Sequence, residues 1–209
     1  MSAITRPKIY IVLYSLYGHV FSLAQSIKRG AEKAGTADVS IFQIKETLPS
    51  EVLTKMHAPA KPEIPVLEPK DMAAADGFLF GIPTRYGNMP AQWKHFWDAT
   101  GQLWVSGALN NKFAGTFFST ASQHGGQETT AFTFLTTLTH HGMIYVPLGY
   151  THANLQDNSE VIGGSAYGAG AVAGGDGSRQ VSPKEHAIAE HQGESFTKIV
   201  SQYIAGRTV

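Results

Sequence analysis

Five short apolar runs alternate with amphipathic helical patterns along the chain, and this alternation restricts the fold more than any other feature. The first run lacks polar alternation, which is typical of a strand buried on both faces, and all five runs are predicted to be strands. They occupy residues 9–15, 38–44, 77–82, 113–119 and 143–148. The alternation predicts an α/β fold, a doubly wound five-stranded parallel sheet with helices on both faces. In such a sheet, ligands bind beyond the carboxyl ends of the strands.

The helical patterns have recognisable ends. In the first pattern, apolar residues recur at helical spacing from Leu23 to Ala34, and Gly35 can close the helix. Further helical patterns lie around residues 90–100 and 127–141.

The last helix has the clearest start. Ser182 is suited to cap it, Pro183 to occupy its first turn, and Glu185 to complete a capping box. The residues predicted for its buried face are Phe196, Ile199, Val200 and Tyr203.

The length and composition predict a single folded domain covering residues 1–209, because 43% of the residues are hydrophobic and only 15% are charged. Residues 1–7 are expected to form an N-terminal tail. Residues 47–75 carry no clear period and predict a long, partly irregular connection. The Gly-dense segment 163–181 predicts a loop before the last helix.

The charge balance and the absence of cysteine exclude several classes of function. Lys and Arg together number 16, as do Asp and Glu, so the basic footprint of a nucleic-acid-binding protein is missing. Without Cys there is neither a disulfide nor a thiolate site. The N-terminal sequence lacks the apolar stretch of a signal peptide, and no segment is long enough to cross a bilayer. We therefore expect a cytoplasmic protein with no membrane partner.

The first candidate site is the short loop that joins the first predicted strand to the first predicted helix. It consists of Ser15, Leu16, Tyr17, Gly18, His19 and Val20. A loop at a helix N-terminus can bind an anion through oriented N–H groups and the helix dipole. Because the loop contains no Lys and no G-x-G-x-x-G, a monophosphate fits better than a Mg-nucleotide or a dinucleotide. The alternative is an ordinary strand-to-helix turn in which Ser15 caps the helix.

The second candidate loop follows the third predicted strand and consists of Pro83, Thr84, Arg85, Tyr86, Gly87 and Asn88. Gly87 allows the backbone to approach a flat ligand, and several side chains in this loop can form hydrogen bonds to ring-edge atoms. The alternative is a plain helix entry. The aromatic residues that come next are expected to lie in the core, and they are Trp93, Phe96 and Trp97.

The third candidate loop follows the fourth predicted strand and is a weaker signal, since Gly-rich turns are common. It consists of Ser119, Thr120, Ala121, Ser122, Gln123, His124 and Gly125. A nearby metal site at His140 and His141 is rejected, because adjacent helical residues point in different directions and no further ligand completes a set. No metal is expected.

Taken together, four motifs resemble the WrbA-type NAD(P)H:quinone oxidoreductases, a flavodoxin-like FMN family, and the fungal members in particular. The motifs are YSLYGHV, PTRYGNMPAQWKHFWDATGQLW, GGQETT and LTHHGM, and they occur in the family's order between about Lys8 and Tyr203. The third loop reads STASQHGGQE, without the longer Gly/Thr run of bacterial members. The resemblance implies bound FMN, with NADH or NADPH as co-substrate and a quinone as substrate. It also implies a homo-oligomer, for which a tetramer is expected and a dimer is the alternative.

The resemblance also implies roles for individual residues. The first loop would hold the 5′-phosphate of FMN, and residues 83–88 would border the isoalloxazine ring, with Thr84, Arg85 and Tyr86 closest. Residues 119–125 would line the other edge of the ring. His140 would lie near the flavin of a neighbouring subunit. Trp104 and Tyr17 would border the space for NAD(P)H and quinone, Trp104 across a subunit boundary.

The implied activity is a two-electron reduction of quinones to hydroquinones by a ping-pong mechanism, in which both substrates use one site in turn. One alternative is a flavodoxin-type electron carrier, although its usual acidic docking face disagrees with the neutral charge balance. The other alternative is an FMN-binding regulatory protein, which the sequence leaves open.

Overall fold

Four of the predicted strands form the centre of a parallel sheet in the computed structural model, which describes residues 6–207. They are β1 (Lys8–Leu13), β2 (Asp38–Gln43), β3 (Gly77–Pro83) and β4 (Phe113–Thr120). They lie in the order β2-β1-β3-β4, and every neighbouring pair is parallel. The predicted doubly wound architecture is therefore confirmed at its centre.

The fifth strand position is divided between two segments, which corrects two predictions. β5 (Ile144–Tyr145) pairs only with the start of β4, so the strand predicted at 143–148 is much shorter. The predicted loop 163–181 contains β6 (Gly164–Ser165) and β7 (Gly168–Val172), and β7 pairs in parallel with the end of β4. β6 runs antiparallel to β7, so the sheet has seven strands within residues 6–207.

Glycine explains why β7 was missed and why it forms. Glycine is depleted in strands, so a Gly-dense segment predicts a loop. At Gly168, however, a Cβ would overlap the main-chain carbonyl of Thr116, so only glycine permits this approach to β4. The predicted strand at 143–148 ends early because Pro147 has no N–H to donate and Gly149 turns the chain with φ +62°.

Helices cover both faces of the sheet, as predicted. They are α1 (His19–Lys33), α2 (Ser50–Lys55), α3 (Ala91–Asp98), α4 (Gly101–Val105), α5 (Gln127–His140) and α6 (Pro183–Gly206). α1 and α6 share one apolar core with Ile9, Ile11 and Leu13 of β1. α3 and α5 share a second core with Phe78 and Phe80 of β3. No helix within residues 6–207 is long and apolar enough to span a membrane.

The second core contains the aromatic residues predicted to be buried, and that prediction is confirmed. Trp93, Phe96 and Trp97 are all at most 5% exposed. The Trp93 indole N–H donates to the Gly81 carbonyl at 2.9 Å, which satisfies its polar group inside the core. This packing holds α3 against β3 directly below the second candidate loop.

The last helix begins as predicted, but its buried face is partly different. The Ser182 hydroxyl accepts from the Glu185 N–H, and the Glu185 carboxylate accepts from the Ser182 N–H, which completes the capping box. Phe196 is buried, whereas Ile199 and Tyr203 are both 40% exposed. The buried stripe is centred further round the helix because α6 packs closely on α1 as well as on the sheet. Its buried members are Glu185, Ile188, Ala189, Gln192, Gly193, Phe196, Thr197 and Val200.

The predicted N-terminal tail is only partly described. Residues 1–5 lie outside the described residues. Arg6 is tied to the body of the protein, since its guanidinium donates to the Asp38 carboxylate at 3.0 Å and to the Gly35 and Ala37 carbonyls at 2.8 and 2.7 Å.

Candidate active site

A cavity of about 540 Å³ opens at the carboxyl edge of the sheet, where the three predicted loops meet. A fourth segment, residues 173–177, also lines it. The lining residues are Ser15, Leu16, Tyr17, His19, Val20, Pro83, Thr84, Arg85, Ser119, Thr120, Ala121, Ala173, Gly174, Gly175, Asp176 and Gly177. The edge is the one expected to bind ligands in a doubly wound sheet.

The loop Ser15–Val20, called the phosphate loop below after the ligand expected from its sequence, lines this cavity with all of its residues except Gly18. Gly18, at φ +92°, starts α1, and its N–H donates to the Ser15 hydroxyl at 3.1 Å. The first helical hydrogen bond runs from the Ser22 N–H to the Gly18 carbonyl. Among residues 6–207, no atom accepts from five neighbouring N–H groups, those of Leu16, Tyr17, His19, Val20 and Phe21.

One of the two interpretations of the loop assigns the helix cap to Ser15. Ser15 does not cap the helix, because its hydroxyl accepts inside the turn and the N-cap residue is Gly18, which has no side-chain cap. The helix N-terminus is left with unpaired donors and its favourable dipole, and both suit an anion. The donor set therefore fits a monophosphate such as that of FMN.

The second loop is a hairpin turn that closes on itself. The Arg85 N–H donates to the Asn88 carbonyl at 2.7 Å, and the Asn88 N–H donates back at 3.0 Å. Tyr86 and Gly87 both have positive φ, +55° and +73°, as in a type I′ turn. Pro83, Thr84 and Arg85 line the cavity, whereas the remaining residues of this loop do not. The Tyr86 side chain is fully exposed.

The third loop enters the cavity only with its first three residues, Ser119 to Ala121. It then turns away, because the Thr120 hydroxyl donates to the Ser122 carbonyl at 2.6 Å and accepts from the Gln127 amide at 2.7 Å. The predicted site residues that the structure places outside the cavity in this loop are Ser122, Gln123, His124 and Gly125. Gln123 and His124 line a separate, shallower depression.

The sequence did not predict the fourth segment as part of the site. Its place after a strand would have indicated a site loop if β7 had been recognised. Residues 173–177 follow β7 directly, so they lie at the same edge as the other loops. The Ala173 N–H donates to the Thr120 carbonyl at 2.8 Å, which joins this segment to the third loop. The His19 ring nitrogen Nε2 lies 2.8 Å from the Arg179 carbonyl oxygen and joins it to the phosphate loop.

A buried ion pair fixes the far end of this fourth segment. Arg179 Nη1 donates to both carboxylate oxygens of Glu185 at 2.9 Å, and Glu185 is fully buried. The Glu185 carboxylate also accepts from the N–H groups of Gly163 and Val172, at 2.9 and 3.1 Å. Since a buried carboxylate needs a cation and hydrogen bonds, this set holds β7 and residues 173–179 together.

Two predicted site residues lie away from the cavity of their own chain. Trp104 is 59% exposed, and its indole N–H donates to the His140 carbonyl at 3.0 Å. α5 begins beside the third loop and ends at His140, about 20 Å further along its axis. Trp104 therefore does not close its own core. His141, by contrast, is buried against Trp97, so the two His side chains point apart as predicted.

The fold and the site together define a flavodoxin-like protein. Solved structures with this fold include a WrbA-like protein of Agrobacterium tumefaciens, at 22% identity and a TM-score of 0.64, where 94% of this chain and 98% of that chain are covered. Flavodoxin 1 of Bacillus cereus matches with a TM-score of 0.57 at 16% identity, with 91% and 97% covered.

More specific matches come from sequence. The model of the NADPH-dependent FMN reductase family matches residues 15–157. A Candida albicans protein described as NAD(P)H quinone oxidoreductase PST2 is 53% identical, over 95% of this chain and 98% of its own length. Quinone-oxidoreductase QR2 of Triphysaria versicolor is 55% identical, over 96% and 95%. The chain belongs to the NADPH-dependent FMN reductase family, and it is more than half identical to relatives named as quinone oxidoreductases.

Proposed function

We propose that the chain is an FMN-dependent NAD(P)H:quinone oxidoreductase that reduces quinones to hydroquinones by a ping-pong mechanism. The observation that carries this proposal is the phosphate loop, which has unpaired N–H groups and lines a cavity large enough for a flat ligand. Relatives named as quinone oxidoreductases match almost their whole length at more than half identity, which supports the same activity here.

The residues around the cavity provide binding, orientation and charge. The phosphate loop binds the 5′-phosphate through main-chain donors, and the first residues of the second and third loops border the ring from opposite sides. When bound, FMN supplies the hydride-transfer chemistry. Arg85 brings a guanidinium to the ring edge, where it stabilises negative charge that develops on reduction. Tyr17, which is half-exposed at the mouth, offers an aromatic surface for the nicotinamide.

We further propose that the active unit is a homo-oligomer, a tetramer in the first instance and a dimer as the alternative. The exposure of Trp104 supports this, because a large aromatic side chain with one polar contact in its own chain is suited to an interface. Placed against a neighbouring subunit, Trp104 and His140 would roof that subunit's open cavity.

A spectroscopic titration tests the activity. The protein purified with FMN should lose its flavin absorbance band on addition of NADPH or NADH, and benzoquinone should restore it with one hydroquinone formed per reduced nicotinamide. Cytochrome c, which accepts single electrons, should be reduced slowly in the absence of quinone. Rapid cytochrome c reduction with poor quinone turnover would support an electron carrier instead.

A dilution series tests the assembly. Specific activity should fall as sedimentation shows dissociation into single chains. A single chain with full quinone reductase activity would show that Trp104 and His140 do not complete the site.

A further inference from the structure

The connection between β2 and β3, residues 44–76, reaches the outer side of the phosphate loop. The Lys61 ammonium donates to the Ser15 carbonyl at 2.9 Å, although the two residues are 46 positions apart. The same ammonium lies 2.7 Å from the Glu46 carboxylate and 4.4 Å from the centre of the Tyr14 ring. These side chains are largely shielded from solvent, since Lys61 is 26% and Glu46 is 17% exposed.

Glu46 is itself held on several sides, so it defines the position of the Lys61 ammonium. Its carboxylate accepts from the Tyr14 hydroxyl at 2.9 Å, from the Gln92 amide at 3.1 Å, and from the Leu48 N–H at 3.1 Å. Burial opposes ionisation of Glu46, but the hydrogen bonds from Lys61, Leu48 and Tyr14 outweigh it and lower the pKa of Glu46 to about 2. Burial and the Glu46 carboxylate raise the pKa of the Tyr14 phenol. The ion pair is therefore intact at neutral pH.

The contact with the Ser15 carbonyl fixes the direction of the next N–H group. The peptide group that joins Ser15 and Leu16 is planar, and in a trans peptide its C=O and N–H point in opposite directions. No cis peptide bond occurs among the described residues. With the carbonyl turned towards Lys61, the Leu16 N–H is turned away from it, and Leu16 lines the cavity. That N–H has no acceptor among residues 6–207.

We infer that Lys61 is a positioning residue for cofactor binding, which orients the Ser15–Leu16 peptide so that the Leu16 N–H faces the phosphate. The inference rests on the proposed function, because it concerns the phosphate of bound FMN. Glu46 balances the charge of Lys61, so the effect comes from orientation more than from net positive charge. The phosphate loop contains no Lys of its own, and its Ser15–Leu16 peptide is instead oriented by a Lys from a distant segment.

Comparing FMN with riboflavin tests this role, since riboflavin has the same ring without the phosphate. Lys61→Met keeps the aliphatic stem over Tyr14 and removes the ammonium. Titration of the apoprotein by flavin fluorescence should show FMN binding weakened by about 10- to 100-fold, as expected for one hydrogen bond to a charged group, with riboflavin affinity changed less than about twofold. Lys61→Arg, which can still donate to the Ser15 carbonyl, should recover most of the FMN affinity.

Lys55→Met is the matched control, because it removes the same charge from the same connection. Lys55 lies at the end of α2 and is exposed. FMN affinity in this variant should stay within about twofold of the wild type. An equal loss of FMN and riboflavin in Lys61→Met, or no loss of FMN, would overturn the inference while leaving the proposed function in place. A wild-type protein that binds no FMN would overturn the proposed function, and the inference with it.

Discussion

The phosphate loop and the hairpin turn Arg85–Asn88 occupy equivalent places in the fold but work in different ways. Each follows one of two neighbouring parallel strands, β1 and β3, and each contains a glycine with positive φ, Gly18 at +92° and Gly87 at +73°. The turn pairs the Arg85 and Asn88 main-chain groups with each other and projects Tyr86 into solvent, while its Gly87 carbonyl accepts from the Thr133 hydroxyl of α5 at 3.2 Å. The phosphate loop leaves its N–H groups unpaired.

That difference depends on what holds each loop. The phosphate loop is tied to distant segments by Lys61 at the Ser15 carbonyl, by Tyr17 at the Met56 carbonyl and by His19 at the Arg179 carbonyl. A loop that binds through its backbone must have its peptide groups fixed from outside, because its own hydrogen bonds cannot do so and still leave donors free. The turn Arg85–Asn88 depends less on outside support, because Arg85 and Asn88 pair with each other and α5 adds a contact at the Gly87 carbonyl.

The largest expected effect comes from removing the buried support of the fourth segment. Arg179→Met leaves the fully buried Glu185 carboxylate without its cation, and we expect the free energy of unfolding to fall by about 3–5 kcal/mol. Lys184→Met breaks the exposed ion pairs that α6 makes with Asp157 and Glu160, and it should cost much less. Urea denaturation measures both. Equal costs would show that the Arg179 pair does not support the loop.

The next effect concerns Glu46 and depends on pH. The Glu46 pKa is about 2 in the folded protein, below its ordinary value of 4.5. The stabilising contribution of Glu46 is therefore present above pH 4.5 and is lost as the pH falls through about 2. Glu46→Gln should therefore lower the free energy of unfolding by about 1–3 kcal/mol at pH 7, and this deficit should shrink below pH 4.5. Urea denaturation at several pH values checks this. A deficit that does not change with pH would contradict it.

A pair of glycine substitutions compares the two loops directly. The Cβ of Gly18→Ala meets no atom within 4 Å, so the loss in the free energy of unfolding is purely conformational, about 1–2 kcal/mol. The same change should weaken FMN binding, because it disturbs the free N–H donors. Gly87→Ala brings a Cβ to 2.7 Å from the Thr129 hydroxyl, so it should cost at least as much stability. It should leave the FMN-to-riboflavin affinity ratio unchanged. If both variants change that ratio equally, the contrast between the loops is wrong.

The smallest stability effect is expected at Tyr86. Asn is favoured at the first central position of a type I′ turn, so Tyr86→Asn should alter the free energy of unfolding by less than about 0.5 kcal/mol, in the stabilising direction. We expect quinone reductase activity to fall nevertheless. An exposed aromatic side chain at a positive-φ position does not stabilise the fold, so its expected role is to contact a ligand or a neighbouring subunit. Thermal unfolding beside steady-state kinetics decides this. Unchanged activity would remove Tyr86 from the proposed site.

The elements that could be predicted are those whose signals are local. The buried apolar strands and the capping box at Ser182 and Glu185 were predicted because residues close in sequence create them. The failure at β7 arose because its stability comes from distant partners. The Gln192 side-chain amide accepts from the Ala169 N–H at 2.9 Å and donates to the Thr116 carbonyl at 2.9 Å, and none of these partners is adjacent in sequence.

The candidate site divides in the same way. The first three loops could be predicted because each follows an apolar run, and parallel strands bring their carboxyl ends to one edge. Residues 173–177 could not, since they depend on recognising β7. Tyr86 was predicted beside the ring from its motif, and the structure places its side chain in solvent because the turn's positive φ values aim it outward.

The amino-acid sequence by itself determined the four central strands of the sheet, the helix that starts at Pro183 and the position of the phosphate loop, because hydrophobic period and capping act over a few residues. Tertiary structure alone decided which N–H groups of that loop stay free and which way they point. Lys61 shows the reason, since its ammonium meets the Ser15 carbonyl only after the connection between β2 and β3 has packed against β1. A contact that spans 46 residues leaves no local pattern, and its free energy appears only when the segments are brought together.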